Sequence, residues 1–467
     1  MKKVLTIALA FLMALSVIGC ATTPTANEPV TETPDQTTTE APAESAEGKR
    51  VVKIGLLAPI SGAVASQGQM MEAGLRTCIE YFEENVGFKN HPEVEIQVVV
   101  ADTESSVDAG VSAFERLVNV GLFHHQGCCQ LPTDLKRVTD TLSNIGQNPN
   151  VGAVLVVSLG CEGTDQNRIV EEISATGKPC EIIRIQELGG TSRAIQEGID
   201  KAQKLVQMIS GQQRETCDIS EVKLAIKCGG SDATSGMASN CVVGYVADKL
   251  VDLGATVIFG ETTEFIGGEH ILASRAAGGP VGRVGEEIYE IVSQMEERAT
   301  RMGEDMRGGQ PTPGNIAGGL SSIEEKTLGA IIKSGHRLIQ GVLGYCDRAD
   351  GKKGLWIKDS PGREPEILTG MAAAGAQVLM FSTGRGAPQG YPCMPVIKIC
   401  GNPNTYNRMS HDMDLNAGLI IEGKKNVEQV GEEAFSVLID TLNGRATKNE
   451  ALGYFGSVDI FCLGPVI

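Results

Sequence analysis

The chain has 467 residues, a formal net charge of −18, and 42% hydrophobic but only 4% aromatic residues. This length predicts two or three domains, and the acidic balance argues against nucleic acid and anionic membrane surfaces as general partners. The 13 cysteines have no regular spacing, which argues against a disulfide scaffold and favours a reducing compartment.

Residues 1–20 have the pattern of an export signal. Lys2 and Lys3 precede an apolar run that is too short for a membrane span and that ends in LSVIGC. The motif resembles a bacterial lipobox, with Cys20 as the lipidated residue and membrane anchor; a plain secretory signal is the alternative. Residues 21–50 are rich in Thr, Pro and Glu and poor in apolar residues, which predicts a disordered tether.

Residues 51–119 have a β-α-β-α pattern, which predicts a parallel sheet. The segments KIGLLAPISG, ASQGQMMEAGLR and VVVADTESSVDAGVSAFERLVN resemble the start of a type I branched-chain amino acid binding protein of ABC transporters. That resemblance would place Ser61 near a ligand. Only two strands and two helices are present, however, so we expect a partial lobe that does not enclose a ligand.

The rest of the chain contains three β-turn-α-β units, built on GAVLVVSLGCEG, VKLAIKCGGSDATSG and MAAAGAQVLMFSTGRG. Alternating strands and helices predict an α/β fold with largely parallel sheets. Ligands of such folds bind outside the carboxyl ends of the strands. The polar residues at or just after these strand ends are therefore candidate site residues: Cys161, Glu162, Ser231, Asp232, Thr234, Glu261, Glu264, Thr383 and Arg385.

Two of these turns suit an anionic ligand. GGSDATSG places N–H groups and hydroxyls at a helix N-terminus, which favours a carboxylate or phosphate; an ordinary capped helix start is the alternative. STGRG places Arg385 on a glycine turn. A guanidinium binds a carboxylate through two parallel hydrogen bonds, although a surface salt bridge is the alternative.

Metal-binding residue types are scattered in HHQGCC, GEH and HDMD. None has the spacing of a structural zinc site. Mixed His, Cys and carboxylate ligands would suit Fe(II) or Zn(II). Nucleotide chemistry has no support, because neither a Walker motif nor a strand-linked G-x-G-x-x-G is present.

Residues 120–467 resemble the large catalytic region of the altronate and galactarate dehydratase family, which includes the large subunit of sulfolactate sulfo-lyase. The resemblance rests on blocks in the family's order: LGCEG, ELGGTSRAIQEG, KCGGSDATSGMASN, FGETTEFIGGEHILASRA, GNIAGGLSSIEEKTLGAIIKSG, TGMAAAGAQVLMFSTGRGAPQG, PVIKICGNPNTY and HDMDLNAG. It implies a lyase that depends on Fe(II) or a similar divalent metal and converts a sugar acid to a 2-keto-3-deoxy acid. Sulfolactate cleavage is the alternative.

Matching the chemistry of each residue to this reaction suggests roles for the candidate residues. Ser231, Asp232, Thr234, Thr383 and Arg385 are expected to bind the substrate carboxylate. Glu162, Glu261, Glu264 and Lys326 are expected to act as acid–base or charge-stabilising groups; for Lys326 the alternative is a solvated helix lysine. Cys161, Glu269, His270 and His125 are the expected metal ligands.

The resemblance also bears on the subunit composition and the cellular location of the protein. Single-chain members carry a small β-rich N-terminal domain, which a separate partner subunit could supply here. The export signal predicts an anchored lipoprotein, whereas the thiol-rich enzyme region predicts the cytoplasm. A join between two unrelated reading frames near residue 120 would explain this conflict, and an amino-acid-binding lipoprotein is the alternative function.

Overall fold

The computed structural model describes residues 50–58, 94–102, 121–124, 126–213, 215–465 and 467. The chain divides into two compact units, residues 1–107 and 108–467. No helix of the described residues is long and apolar enough to cross a bilayer. The predicted signal, the tether, Cys20, Ser61 and the helices predicted between residues 59 and 119 lie outside the described residues.

The first unit contains a pair of parallel strands, β1 (Arg50–Ala58) and β2 (Val94–Asp102). Their register places Arg50 opposite Val94 and Ala58 opposite Asp102. Both strands are rich in valine, whose β-branched side chain favours the pleated conformation.

The second unit begins with a small two-stranded parallel sheet flanked by three helices. Its elements are α1 (Pro132–Gly146), β3 (Val154–Ser158), α2 (Gln166–Ser174), β4 (Cys180–Arg184) and α3 (Thr191–Ile209). Asp165 precedes α2 and accepts the Arg168 N–H (3.0 Å). This bond satisfies a backbone donor that a helix start leaves unpaired.

A seven-stranded sheet forms the larger part of this unit. Its strands are β5 (Lys223–Cys228), β6 (Thr256–Phe259), β7 (Ile339–Leu343), β8 (Gly354–Lys358), β9 (Val378–Thr383), β10 (Val396–Cys400) and β11 (Leu415–Asn416). All neighbours are parallel, in the order β11-β10-β9-β5-β6-β8-β7. The predicted α/β fold with parallel sheets is confirmed.

The larger sheet is accompanied by short and long helices. They are α4 (Asn240–Asp252), α5 (Glu269–Ser274), α6 (Arg283–Thr300), α7 (Pro313–Ala317), α8 (Ile323–Ile331), α9 (Glu364–Ala373), α10 (Pro403–Arg408), α11 (Gly418–Ile421), α12 (Val427–Leu442) and α13 (Lys448–Leu452). One π-helical turn, Ser235–Ser239, leads into α4.

The core lies on both faces of the seven-stranded sheet. Ile226 and Phe259 belong to one buried cluster with Leu250 of α4, whereas Leu379 belongs to a second cluster with Met371 of α9. Strands buried on both faces read as continuous apolar runs, and side chains alternate between the faces. A lysine inside such a strand is therefore forced into the interior.

The order of the strands reverses next to β5. The chain first adds β6, β7 and β8 on one side of β5 and then places β9 on the other side. Open α/β sheets bind ligands in the crevice at such a reversal, outside the carboxyl ends of the strands. The ends of β5 and β9 therefore mark the place for a functional site.

Residues 461–464 are hydrogen-bonded to α1 and pack against it. The Asp134 carboxylate accepts the N–H groups of Leu463 (2.9 Å) and Gly464 (2.7 Å). The ring of Phe461 packs against the guanidinium groups of Arg137 (5.6 Å) and Arg298 (5.4 Å). Contacts between residues far apart in sequence thus join α1 to the rest of the unit.

Candidate active site

Two loops meet at the crevice between β5 and β9. β5 continues into the segment GGSDAT, and β9 continues into TGRG. The Gly229 N–H donates to the Ser382 carbonyl (3.0 Å), and the Arg385 N–H donates to the Gly230 carbonyl (2.8 Å). Two turns that the sequence placed at separate strand ends therefore lie side by side.

Asp232 organises the first of these loops. Its Oδ1 accepts the Thr234 N–H (2.9 Å), the Thr234 hydroxyl (2.5 Å) and the Ser235 N–H (3.2 Å), and its Oδ2 accepts the Asn402 amide (3.0 Å). The Ala233 N–H donates to Gly318 (3.0 Å). The N–H groups of Ala233, Thr234 and Ser235 are thus bonded within the chain, as in a capped helix start.

Close packing fixes Asp232 in place. A Cβ atom added to Gly384 would lie 1.9 Å from Asp232 Oδ1, and one added to Gly318 would lie 2.6 Å from Asp232 Cβ. The side chain of Asn315 also donates to the Ser231 carbonyl (2.8 Å). Glycine at position 384 is therefore a steric requirement of the crevice.

Arg385 is the available cation of the crevice. Its side chain is exposed, and its guanidinium makes no hydrogen bond or ion pair with the part of the chain that the structure describes. The neighbouring Thr383 hydroxyl accepts the Gly386 N–H (3.0 Å) and so stabilises the glycine turn. Arg385 is thus free to bind an anion from solvent, whereas Thr383 supports the backbone.

A buried ionic network lies at the carboxyl ends of β5 and β6. Lys227 Nζ donates to Glu261 Oε1 (2.6 Å), and Lys333 Nζ donates to Glu261 Oε2 (2.5 Å) and Glu264 Oε2 (2.9 Å). The Cys228 N–H donates to Glu261 Oε2 (2.9 Å). A buried charge is tolerated when it is paired and hydrogen-bonded in this way.

The backbone of Glu261 is strained. Its φ is +74°, in the left-handed region, which costs a residue with a side chain on the order of 1–3 kcal/mol. Three donors fix the carboxylate, so the surrounding structure holds the residue there. Such strain clusters at functional sites.

Within the network, burial and neighbouring opposite charges shift the pKa values in opposite directions. Burial, reinforced by the Glu264 carboxylate, raises the pKa of Glu261 despite its two lysines. Burial would also raise the pKa of Glu264, but Lys333 and Lys326 outweigh it and lower that pKa to about 2. The glutamates hold the pKa values of Lys227 and Lys333 above the usual range against the effect of burial, so both lysines stay charged.

Lys326 forms the outer edge of the network. Its Nζ lies 3.5 Å from Glu264 Oε1 and donates to Gln310 Oε1 (2.7 Å). Its side chain retains 12% exposure, whereas that of Lys333 retains none. Lys326 is therefore the lysine of this network that a ligand reaches most readily.

The other predicted residues lie elsewhere. Cys161 and Glu162 follow β3 of the small sheet, where Glu162 accepts the N–H groups of Leu159 (3.2 Å) and Gly160 (2.6 Å). Burial acts to raise the pKa of Glu162, but hydrogen bonds from Ser158 and the backbone lower it. The structure therefore does not bring Cys161 and Glu162 into the network.

Within the described residues, the structure does not bring the expected metal ligands together. Glu269 and His270 begin α5, where His270 is exposed and Glu269 Oε2 is buried without a hydrogen bond from the described chain. His125 lies outside the described residues. No three His, Cys, Asp or Glu side chains in the described ranges form a group that could hold a metal, so Cys161, Glu269 and His270 do not come together there as one ligand set.

Four residues of the site were not predicted from the sequence: Lys227, Lys333, Asn315 and Asn402. Lys227 lies in VKLAIKC, a run whose other positions read as a buried strand, and a lysine there requires an internal anion. The sequence therefore contained a signal from which a buried role for Lys227 could have been predicted. The roles of Lys333 and the two asparagines depend on long-range packing, which no local pattern reveals.

Two family models match the chain. The model described as D-galactarate/altronate dehydratase, C-terminal, matches residues 219–464, and the one described as D-galactarate dehydratase/altronate hydrolase, second domain, matches residues 86–210. The chain belongs to the galactarate/altronate dehydratase family. The first match covers the seven-stranded sheet with the crevice, and the second covers the small sheet. The second begins inside the segment that resembles a binding protein, and neither model describes a binding protein.

Members of this lyase family match along most of the chain. The (2R)-sulfolactate sulfo-lyase subunit beta of Chromohalobacter salexigens is 39% identical over 387 residues, which cover 82% of the chain and 97% of the relative. The galactarate dehydratase (L-threo-forming) of Escherichia coli is 35% identical, covering 70% of the chain and 63% of the relative. The altronate dehydratase of Bacillus subtilis is 32% identical, with coverages of 70% and 65%. The chain thus spans less than two thirds of both dehydratases.

Proposed function

We propose that this chain is a lyase that eliminates a leaving group from the carbon next to the hydroxyl-bearing carbon of a small 2-hydroxy acid. The observation that carries the proposal is the buried network of Lys227, Glu261, Lys333 and Glu264 beside the crevice. Removing a proton next to a carboxylate places negative charge on the carboxylate oxygens. Fixed cations in a water-poor site stabilise such charge.

In this proposal Arg385 binds the substrate carboxylate, because its guanidinium is exposed at the crevice and suits two parallel hydrogen bonds. Lys227 and Lys333 act as permanent charges rather than bases, since their pKa values are raised. Lys326 forms the edge at which a proton is transferred, and the Glu264 carboxylate beside it stays ionised, because its pKa is lowered to about 2. Their 3.5 Å separation lets one group compensate a change of charge on the other.

(2R)-Sulfolactate is the first candidate substrate, because the match extends over 97% of the sulfo-lyase subunit. In its elimination the C2 proton leaves to a base, the C3–S bond breaks, and the electron pair departs with sulfite. The resulting enol becomes pyruvate. Galactarate and altronate are the second candidates; they would lose hydroxide from C3 and give 2-keto-3-deoxy acids.

The proposal also includes a partner subunit, a divalent metal and a cellular location. The name of the relative, subunit beta, supports a partner subunit, and the family resemblance supports a divalent metal, Fe(II) first. Membrane anchoring through Cys20 rests on the lipobox alone. Removal of metal with a chelator, followed by Fe(II), tests the metal, and labelling with a radioactive fatty acid tests the anchor.

The deciding experiment is a substrate comparison. The purified chain, with and without a small partner subunit and Fe(II), is given (2R)-sulfolactate, galactarate or altronate. Sulfite and pyruvate in equal amounts would identify the sulfo-lyase reaction, and a 2-keto-3-deoxy acid would identify the dehydratase reaction. If none of the three acids yields a 2-keto acid under any of these conditions, the proposal is wrong.

A further inference from the structure

Two neighbouring thiols on the surface are not members of the ionic network. Cys128 and Cys129 are both exposed and free, and their sulfur atoms are 3.8 Å apart. They belong to the segment HHQGCCQ, and neither thiol has a role in the proposed reaction. Adjacent side chains on an extended strand point to opposite faces, so a special backbone is needed to bring both sulfurs together.

The turn supplies that backbone. Cys129 has a φ of +55°. Among the described residues, Glu261 is the only other non-glycine residue with a positive φ. Gly127 precedes the pair with a φ of +115°. A left-handed cysteine is disfavoured unless its surroundings hold it.

Buried bonds hold the turn from both sides. The side chain of Gln130, which is 6% exposed, accepts the Gly127 N–H (2.7 Å) and donates to Cys462 Sγ (3.1 Å). The Cys129 carbonyl accepts the Ile467 N–H (2.8 Å). The two thiols are therefore presented on a fixed scaffold, which reduces the ordering cost of binding.

The two thiols share a hydrogen bond across 3.8 Å, and this spacing also matches two sulfurs on one bound ion. Thiolate sulfur lies about 2.3 Å from Zn²⁺ in tetrahedral sites, so two sulfurs on one ion are about 3.8 Å apart. Thiolates select soft d¹⁰ cations over hard, oxygen-preferring ones. We propose that Cys128 and Cys129 chelate one thiophilic d¹⁰ cation of the Zn²⁺ and Cd²⁺ class, at a site separate from the proposed lyase reaction.

The described chain adds no third ligand within such a group. Two coordination positions of the ion are therefore left for water or a small exogenous ligand. Because the metal binds thiolates, uptake releases protons and strengthens as pH rises. The site requires no change in the ionic network, and it stands whether or not the chain turns over a 2-hydroxy acid.

Titration of the reduced full-length chain with Cd²⁺ tests the proposal, with thiolate-to-cadmium absorbance as the readout. We expect the variant with Cys128→Ser and Cys129→Ser to bind one equivalent less than wild type. Each single variant should bind that equivalent at least about tenfold more weakly, because it loses the chelate. Cys217→Ser is the matched control, since Cys217 is also exposed and free but has no neighbouring thiol in the sequence.

Equal Cd²⁺ stoichiometry and affinity in wild type and the double variant would overturn the proposal. So would a protein in which the two thiols form a disulfide with each other under the reducing conditions of the titration. Urea unfolding of each variant shows whether the turn itself remains folded. If the double variant unfolds, binding of Cd²⁺ to wild type after alkylation of both thiols replaces it, and undiminished binding then contradicts the site.

Discussion

The ammonium group of Lys333 lies 2.5 Å from the carboxylate of Glu261, and neither side chain is exposed to solvent. The pair is central to the network, because Lys333 also binds Glu264 and Glu261 also binds Lys227. Water cannot replace a partner that is removed from such a position. The stability and the activity of the protein should therefore both depend on this contact.

Lys333→Met is expected to destabilise the protein by about 3–5 kcal/mol, because two buried carboxylates lose a shared cation. Urea unfolding, followed by fluorescence or circular dichroism, measures this change. Lys249→Met is the control: Lys249 pairs with Glu432 at the surface and should cost less than about 1 kcal/mol. Equal effects of the two substitutions would contradict the account of the network.

Gly384→Ala is expected to abolish turnover while leaving most of the fold intact. The new methyl group would meet Asp232 Oδ1 at 1.9 Å, so the carboxylate must leave Thr234, Ser235 and Asn402. Gly308→Ala is the control, since a Cβ there meets nothing within 4 Å. Activity assays on the accepted substrate measure both variants. Wild-type activity in Gly384→Ala would show that Asp232 does not organise the crevice.

Arg385→Gln should raise KM by about tenfold or more, since a hydrogen bond to a charged partner contributes about 1.5–3 kcal/mol. The unfolding midpoint should stay unchanged, because Arg385 is exposed. Arg283→Gln removes an equally exposed arginine from α6 and should leave KM unaltered. A KM that does not respond to Arg385→Gln would place the carboxylate elsewhere.

Lys398 in β10 should make stability depend on pH. Its side chain is fully buried, and its Nζ has no hydrogen-bond partner in the described chain. Burial lowers the pKa of Lys398 to about 8, against the pull of Asp414 and Asp412, whereas the unfolded value is about 10.4. Between these two values the unfolded chain binds the proton and the folded chain does not, so the free energy of unfolding increases with pH.

The comparison of wild type with Lys398→Met isolates this effect. From about pH 7 to about pH 10, wild type should gain on the order of 3 kcal/mol relative to the variant. Urea unfolding of both proteins across this range gives the difference. A difference that stays constant with pH would show that Lys398 keeps its ordinary pKa.

Local sequence patterns were sufficient to predict the strand ends. β5 and β9 were recognised from apolar runs that stop at glycine turns, and parallel strands bring their carboxyl ends to one edge. Ser231, Asp232, Thr383 and Arg385 were therefore placed correctly at the edge of the sheet. The sequence did not show that the Ala233 N–H is bonded internally, because its acceptor, the Gly318 carbonyl, is distant in sequence.

Burial of charge was harder to predict than the position of strands. Glu261 and Glu264 were selected as polar residues after a strand, but their partner Lys333 lies in a helical segment about seventy positions later. Local patterns report periodicity, not which distant side chains share an enclosed space. The roles proposed for all the candidate residues, in the crevice, in the network and elsewhere, stay predictions.

The bonds from Asp134 to Leu463 and Gly464 join residues 329 and 330 positions apart. On a ribosome that adds about 5–20 residues per second, helix α1 emerges roughly 20 to 60 seconds before these partners exist. Until then the Asp134 carboxylate depends on water or on a chaperone. Docking of residues 461–464 is therefore a late step of assembly.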